Sequence, residues 1–238
     1  MIKSLAPLLL WVLTLPALAI GAESGAVPDF SGLWMPARGD NRVKGFPRGN
    51  APYSDWARKL VEEFTASYDP DRDEPAFFCI PPGMPGSMSF GAPFPLEIIQ
   101  RPQDITMFFE GYFQYRKIYL DGYPRPEPVL PTRMGYSVGH WEGDTLVVTT
   151  THLAERTTGT SILSGEASIQ ERIVLETDTE GKRKLVDRIV VNDPVAFTEA
   201  IEMTGIWEWS PETPILEYVC TEEIYQQHLQ RVLEDRPE

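Results

Sequence analysis

Histidine and cysteine are nearly missing from this chain. Its 238 residues include three histidines and two cysteines. No grouping of these with carboxylates has the close spacing of a zinc or iron site, so no metal is expected. The phosphate-loop pattern G-x-x-x-x-G-K-[ST] and the dinucleotide pattern G-x-G-x-x-G do not occur, so no cofactor is expected either. Basic charge is short: 21 Lys and Arg stand against 35 Asp and Glu, a formal charge of −14. The acids are scattered, which describes a solvated acidic surface and disfavours nucleic acid and anionic membranes as partners. There is no internal repeat and no low-complexity tract. Past the first 22 residues, no apolar run approaches the ~20 residues that a membrane-spanning helix needs, so no membrane insertion is expected.

Residues 1–22 read as a secretory leader. Lys3 supplies the positive start, Leu5 to Leu15 is a short uncharged apolar run, and Ala17-Leu18-Ala19 is a small-x-small cleavage site. Cleavage after Ala19 and after Ala22 are both compatible with the sequence. The mature chain is expected in the periplasm or outside the cell, as one domain over 23–238, since no linker divides it. In an oxidising compartment the lone pair Cys79 and Cys220 reads as a disulfide closing a loop of more than 100 residues. Two buried free thiols are the alternative.

Proline clusters in two stretches, 70–95 and 124–131, which are expected as extended loops. Two helices are expected. One is capped by Ser54 and shows Trp56, Leu60, Val61 and Phe64 on one face; the other is capped by Thr221 and carries Tyr225, Leu229 and Val232. The remaining regular segments are rich in Val, Ile, Thr and aromatics. They run over 30–35, 96–101, 105–110, 112–120, 133–141, 144–152, 168–177, 182–191, 197–210 and 215–220. Short turns separate most of them, so they are expected to pair as an antiparallel meander. Nine or ten strands in one domain must close or curl to bury their faces and edges. The fold expected is therefore mainly all-β: a lipocalin-like antiparallel barrel or half-barrel with one or two flanking helices. Gly32-x-Trp34 is similar to the opening strand of lipocalin-type barrels.

The segment from Gly135 to His140 matches the G-x-S-x-G of serine hydrolases at Gly135, Ser137 and Gly139. A nucleophile elbow needs a helix directly after the serine. Here Ser137 is followed by VGHWEGDTLVVTTT, which is a strand end, a turn and a β-branched run. A hairpin turning at Glu142-Gly143 fits better. In that register Trp141 faces Asp144 and Tyr136 faces Thr149. Tyr136, Val138, His140, Thr145, Val147 and Thr149 then share one face, while Ser137 points away from His140. The other face has a lane without bulk at Gly135, Ser137 and Gly139, where something can pack closely. Which face is interior stays open. Tyr136 and His140 are the catalytic candidates if theirs is the inner one. Arg116 is a charge stabiliser and a possible ion-pair partner of Glu110. Phe108, Tyr112, Thr149 and Trp207 are the candidate ligand-binding residues, with core packing as their alternative role.

Several pieces together resemble a largely uncharacterised family of exported bacterial proteins. They are DFSGLW (29–34), CIPPGMP (79–85), YRKIYLDGYPRP (115–126), MGYSVGHWEGDTLVV (134–148), NDP (192–194) and LEYVC (216–220). The family typically has His where this chain has Tyr136, Arg where it has His140, and an acid where it has Thr149. The resemblance supports pairing of the two cysteines and implies no settled activity. Three readings follow. The first is binding of a small, mostly apolar ligand in the barrel mouth. The second is a cofactor-free isomerase, cyclase or lyase using Tyr136 and His140 for proton transfer. The third is partner binding through the proline-rich loops. A serine hydrolase ranks below all three. A deep interior pocket reached by Tyr136 and His140 separates the first two from the third, and a filled barrel with no pocket sinks both.

Overall fold

The computed structural model describes residues 27–37, 50–69, 73, 75–89, 94–124, 127, 129–157, 159 and 161–234. The expected leader lies outside them, as do parts of both proline-rich stretches. Nine strands close into one barrel. They are β1 (Gly32–Pro36), β2 (Leu96–Gln100), β3 (Asp104–Phe109), β4 (Gln114–Tyr119), β5 (Tyr136–Glu142), β6 (Thr145–Thr151), β7 (Ser168–Thr177), β8 (Arg183–Asn192) and β9 (Ile201–Trp209). The helices are α1 (Asp55–Ser67), α2 (Gly86–Ser89) and α3 (Cys220–Glu234). None of the described helices is long and apolar enough to cross a membrane. Each strand pairs with its neighbours in sequence, and β9 pairs with β1 to seal the circle.

One joint departs from the expected antiparallel meander. Strands β4 and β5 run parallel, with Ile118 opposite Ser137 and Tyr119 opposite Val138. Parallel neighbours need a long return connection. The proline-rich stretch between Tyr119 and Tyr136 supplies it, so that segment sets strand direction as well as linking strands. Gly139 makes the joint close. A Cβ there would lie 2.9 Å from Cγ2 of Ile118, so the lane without bulk is filled by the neighbouring strand.

The β5–β6 hairpin turns one residue later than expected. Glu142 faces Thr145, leaving Gly143 and Asp144 as the turn. Gly143 has φ of +59°, the conformation that the first central position of a tight hairpin favours. Tyr136 consequently faces Thr151, and Thr149 faces Val138. The slip preserves parity, so the composition of each face is as expected.

Two other expectations need correction. Residues 213–219 are irregular, without the expected strand over 215–220, and α3 starts at Cys220 instead of after a Thr221 cap. Ser54 does cap α1, its Oγ accepting from the Ala57 N–H at 3.2 Å. Leu60 and Val61 pack on the core while Trp56 remains exposed.

Both barrel ends are built over. At one end Phe30 packs on Trp141, ring centroids 5.2 Å apart, and Trp34 meets Trp209 edge-on at 5.1 Å. The Arg183 guanidinium sits 4.4 Å from the Trp209 ring. Gly32 is required there, because a Cβ would stand 2.2 Å from the Trp209 ring. At the other end residues 81–89, ending in α2, enter the barrel as a plug with Met84 and Met88 fully buried. Arg156 clamps that plug, its Nη1 and Nη2 donating to the carbonyls of Pro82 (2.6 Å) and Met84 (2.9 Å). Burial pulls the Arg156 guanidinium down to about 10, with the nearby Arg133 charge adding to the effect. Cys79 and Cys220 form a disulfide that ties the plug's approach to α3, Cα atoms 5.8 Å apart.

Candidate functional site

Alternation along the hairpin decides which face is inside. Ser137, Gly139, Leu146, Val148 and Thr150 are buried, whereas Val138, His140, Glu142 and Thr149 are exposed. The face carrying Tyr136 and His140 is thus the outer wall. His140 lies 49% exposed, its Nε2 3.3 Å from Oε1 of Glu142. Glu142 also accepts from Arg172 at 2.9 Å, and that bond first, then His140, holds its carboxyl below the usual range. Tyr136 stacks on Tyr119 at 5.1 Å and meets the edge of His152 at 6.3 Å. The groove beside the disulfide takes in neither Tyr136 nor His140.

The inner face holds a polar cluster on five consecutive strands. Arg116 of β4 is at its centre, 1% exposed, with Glu171 of β7 and Asp187 of β8 at 0%. Arg116 forks onto Glu171: Nη1 donates to Oε1 at 2.8 Å and Nη2 to Oε2. Nη2 also donates to Oγ1 of Thr150 on β6 at 2.7 Å, and Nε to Oγ of Ser137 on β5 at 3.0 Å. Ser137 and Thr150 complete the network at 2.8 Å. The hydrolase-motif serine is therefore a buried ligand of a guanidinium, on the face opposite His140. Asp187 lies beside Glu171; no other group donates to its oxygens, and the proton it retains is shared with the Glu171 carboxylate. Burial pushes the Asp187 carboxyl well above the usual range, and the negative charge of Glu171 pushes further than Arg116 pulls back.

Of the three catalytic candidates, Arg116 is the one whose side chain sits inside. Its partner is Glu171, not Glu110; Glu110 accepts from the Leu216 N–H at 2.6 Å. Glu171 and Asp187 went unnoticed in the sequence although a signal existed. In Ile169-x-Glu171-x-Ile173 and Leu185-x-Asp187-x-Ile189, an acid interrupts an aliphatic period of two on consecutive strands.

Outside the barrel, beside the disulfide, lies an open groove of about 310 Å³. It is lined by Cys79, Pro81, Tyr112, Phe113, Tyr218, Cys220 and Thr221. The Tyr218 ring anchors it, 5.1 Å from Tyr112, 5.2 Å from Phe94 and 6.5 Å from Phe113. Among the described residues, four that are not glycine have left-handed φ: Cys79 (51°), Tyr112 (62°), Phe113 (47°) and His152 (54°). Three of those four line this groove. Of the candidate ligand-binding residues, Tyr112 lines it and Phe108 adjoins it by stacking on Phe113 at 5.9 Å. Thr149 is on the outer wall. Trp207 faces inward, its Nε1 donating to the Met88 carbonyl at 3.3 Å. The four do not form one site.

No group of three or more His, Cys, Asp or Glu side chains among the described residues is arranged to hold a metal. No protein-family model matches the chain, and no curated protein matches it.

Proposed function

We propose that the protein is an exported binder of a small, mostly apolar molecule, and that the aromatic groove beside the disulfide holds the ligand. The observation that carries this reading is the convergence of Cys79, Tyr112 and Phe113, all in left-handed backbone conformations, on one aromatic groove. Such conformations cost on the order of 1–3 kcal/mol each and cluster where a surface is shaped for binding. A volume of about 310 Å³ suits a small ligand. The rings offer apolar area, while Thr221 and the tyrosine hydroxyls offer polar contacts at the rim. The disulfide fits folding in an oxidising compartment. The resemblance of the hairpin and cysteine segments to exported bacterial proteins agrees with that.

Native mass spectrometry of the protein purified from its own compartment tests the reading, together with titration of the neutral apolar dye N-phenyl-1-naphthylamine. A small-molecule adduct and saturable dye binding are expected. Phe113→Ala is expected to weaken the dye about tenfold, the effect of losing roughly 1.4 kcal/mol of ring contact. An absence of both adduct and saturable dye binding, or dye binding that ignores both Phe113→Ala and Tyr218→Ala, removes the groove from consideration.

A further inference from the structure

Asp187 is a wholly buried carboxyl whose oxygens receive no hydrogen bond, and the acceptor for its retained proton is another acid, Glu171. A domain that tolerates such a group usually gives it a partner or a use. The space over it is taken by the plug. Asp187 faces Gly205 across the β8–β9 ladder, and a Cβ on Gly205 would lie 2.3 Å from the Met88 carbonyl oxygen. The end of α2 therefore rests on the wall next to Asp187, and what it presents there is another acceptor. The plug's other hydrogen bonds run to loop and rim groups. They include Arg156 to Pro82 and Met84, Arg133 to Pro81 (3.3 Å), the Met84 N–H to the Arg133 carbonyl (2.9 Å), and the Gly83 N–H and the Ser87 hydroxyl to Oε1 of Gln114 (3.1 and 3.3 Å). Trp207 ties α2 to the barrel wall.

We propose that the barrel interior beneath α2 is a second binding site, for a small organic ammonium ion with a hydrocarbon body, seated on Asp187 and Glu171 when the plug withdraws. Charge balance selects the headgroup. The charged groups facing Asp187 among the described residues are Arg116 and Glu171, which neutralise each other as a forked pair. Asp187 then remains neutral only while it keeps a proton. An ammonium ion replaces that proton with a full positive charge and brings three N–H donors, enough for both Asp187 oxygens, which receive none, and for Glu171 beside them. An alcohol brings one donor and no charge. The rest of the ligand meets Ile173, Leu185, Ile189, Met203 and Trp207, the buried inward neighbours of Asp187 on its own and adjacent strands. Met84 and Met88 of the plug are buried in the same core, and methionine adapts readily to a changed neighbour. This site is separate from the aromatic groove and does not depend on it.

Calorimetric titration of the mature protein with benzylammonium and with benzyl alcohol, at pH 7 in buffers of different ionisation enthalpy, tests the proposal. Benzylammonium is expected to bind at least about tenfold tighter than the alcohol, the margin of one charge-assisted hydrogen bond. It is expected to release about one proton from Asp187 on binding. Asp187→Asn keeps the shape of the side chain and is expected to abolish both the preference and the proton release. Phe113→Ala in the groove is expected to leave both unchanged. No binding, equal binding of the two probes, or binding that survives Asp187→Asn unaltered overturns the proposal. Binding that is lost in Phe113→Ala and kept in Asp187→Asn places the probe in the groove and also overturns it.

Discussion

Replacing Asp187 by asparagine should change how stability depends on pH more than it changes stability at any one pH. In the folded barrel the carboxyl is sealed, has no donor, and sits beside Glu171, so it holds its proton far above the range where an unfolded chain releases it. Between the unfolded value, near 3.9, and the raised folded value, the folded state therefore binds one more proton than the unfolded state. The stabilisation linked to Asp187 is complete below pH ~4 and is lost as pH rises toward the folded value, at about 1.4 kcal/mol per pH unit for one proton. The asparagine of the variant has no proton to lose, and its amide can donate to Glu171 at every pH. Urea denaturation of wild type and Asp187→Asn at half-unit steps from pH ~4.5 to ~8, with the disulfide intact, gives the difference in unfolding free energy. That difference should shift in favour of the variant by about 1.4 kcal/mol per pH unit and flatten where the folded acid finally ionises. Titrating groups remote from Asp187 cancel in the subtraction, so the difference reports the proton held by Asp187 with its neighbour Glu171. Parallel curves for the two proteins would refute the assignment of a protonated Asp187. A slope of the opposite sign would mean that Asp187 is ionised in the folded state and held by a donor.

Arg116→Met should destabilise the fold by roughly 3–5 kcal/mol in urea, because Glu171 keeps a buried charge with no partner, while Arg116→Met with Glu171→Leu should recover much of the loss. Cys79→Ser with Cys220→Ser opens a loop spanning 141 positions, for which the chain-entropy model gives about 5 kcal/mol; thermal melting should show a loss of roughly 2–5 kcal/mol. Tyr136→Phe and His140→Ala should each shift stability by no more than ~0.5 kcal/mol and leave dye affinity in the aromatic groove unchanged, as befits outer-wall side chains.

The barrel was legible in the sequence because its signals are local. Period-two alternation, β-branched content and turn residues at Gly111, Gly143 and Gly181 mark out β3–β9 to within a few residues. Closure followed from counting strands whose edges needed partners. The parallel joint between β4 and β5 was not legible. Direction there depends on the return between Tyr119 and Tyr136, which is long enough to bring the chain back to the end of the barrel where β4 began, and no residue pattern within either strand records it. The missing strand at 215–220 has a similar origin. LEYVC has strand composition, but all nine barrel strands already have both neighbours, so the segment finds no edge to join. Its backbone turns to other partners, such as the carboxylate of Glu110.

The site was legible only in part because the sequence alone offers two faces with equal claims. The hairpin's parity was right, but the face with the familiar catalytic residue types, Tyr136 and His140, is the solvated one. A chemically inviting residue on a half-buried strand gives no hint of its own direction; its neighbours in the period do. Leu146 and Val148 alternate with Thr145, Val147 and Thr149 along β6, and they place Ser137, Gly139 and Thr150 inside. Applied to β7 and β8, the same rule selects Glu171 and Asp187, because an acid flanked at i±2 by isoleucine or leucine is forced into the core with them. A charge kept in such a position is costly unless it is paired. Arg116 satisfies one of the two acids. The sequence motif thus led to the correct strand, and the glycine and serine positions it marks are where β5 meets β4 and Arg116. The chemistry belongs to the unpaired acid two strands beyond β6, where no motif points.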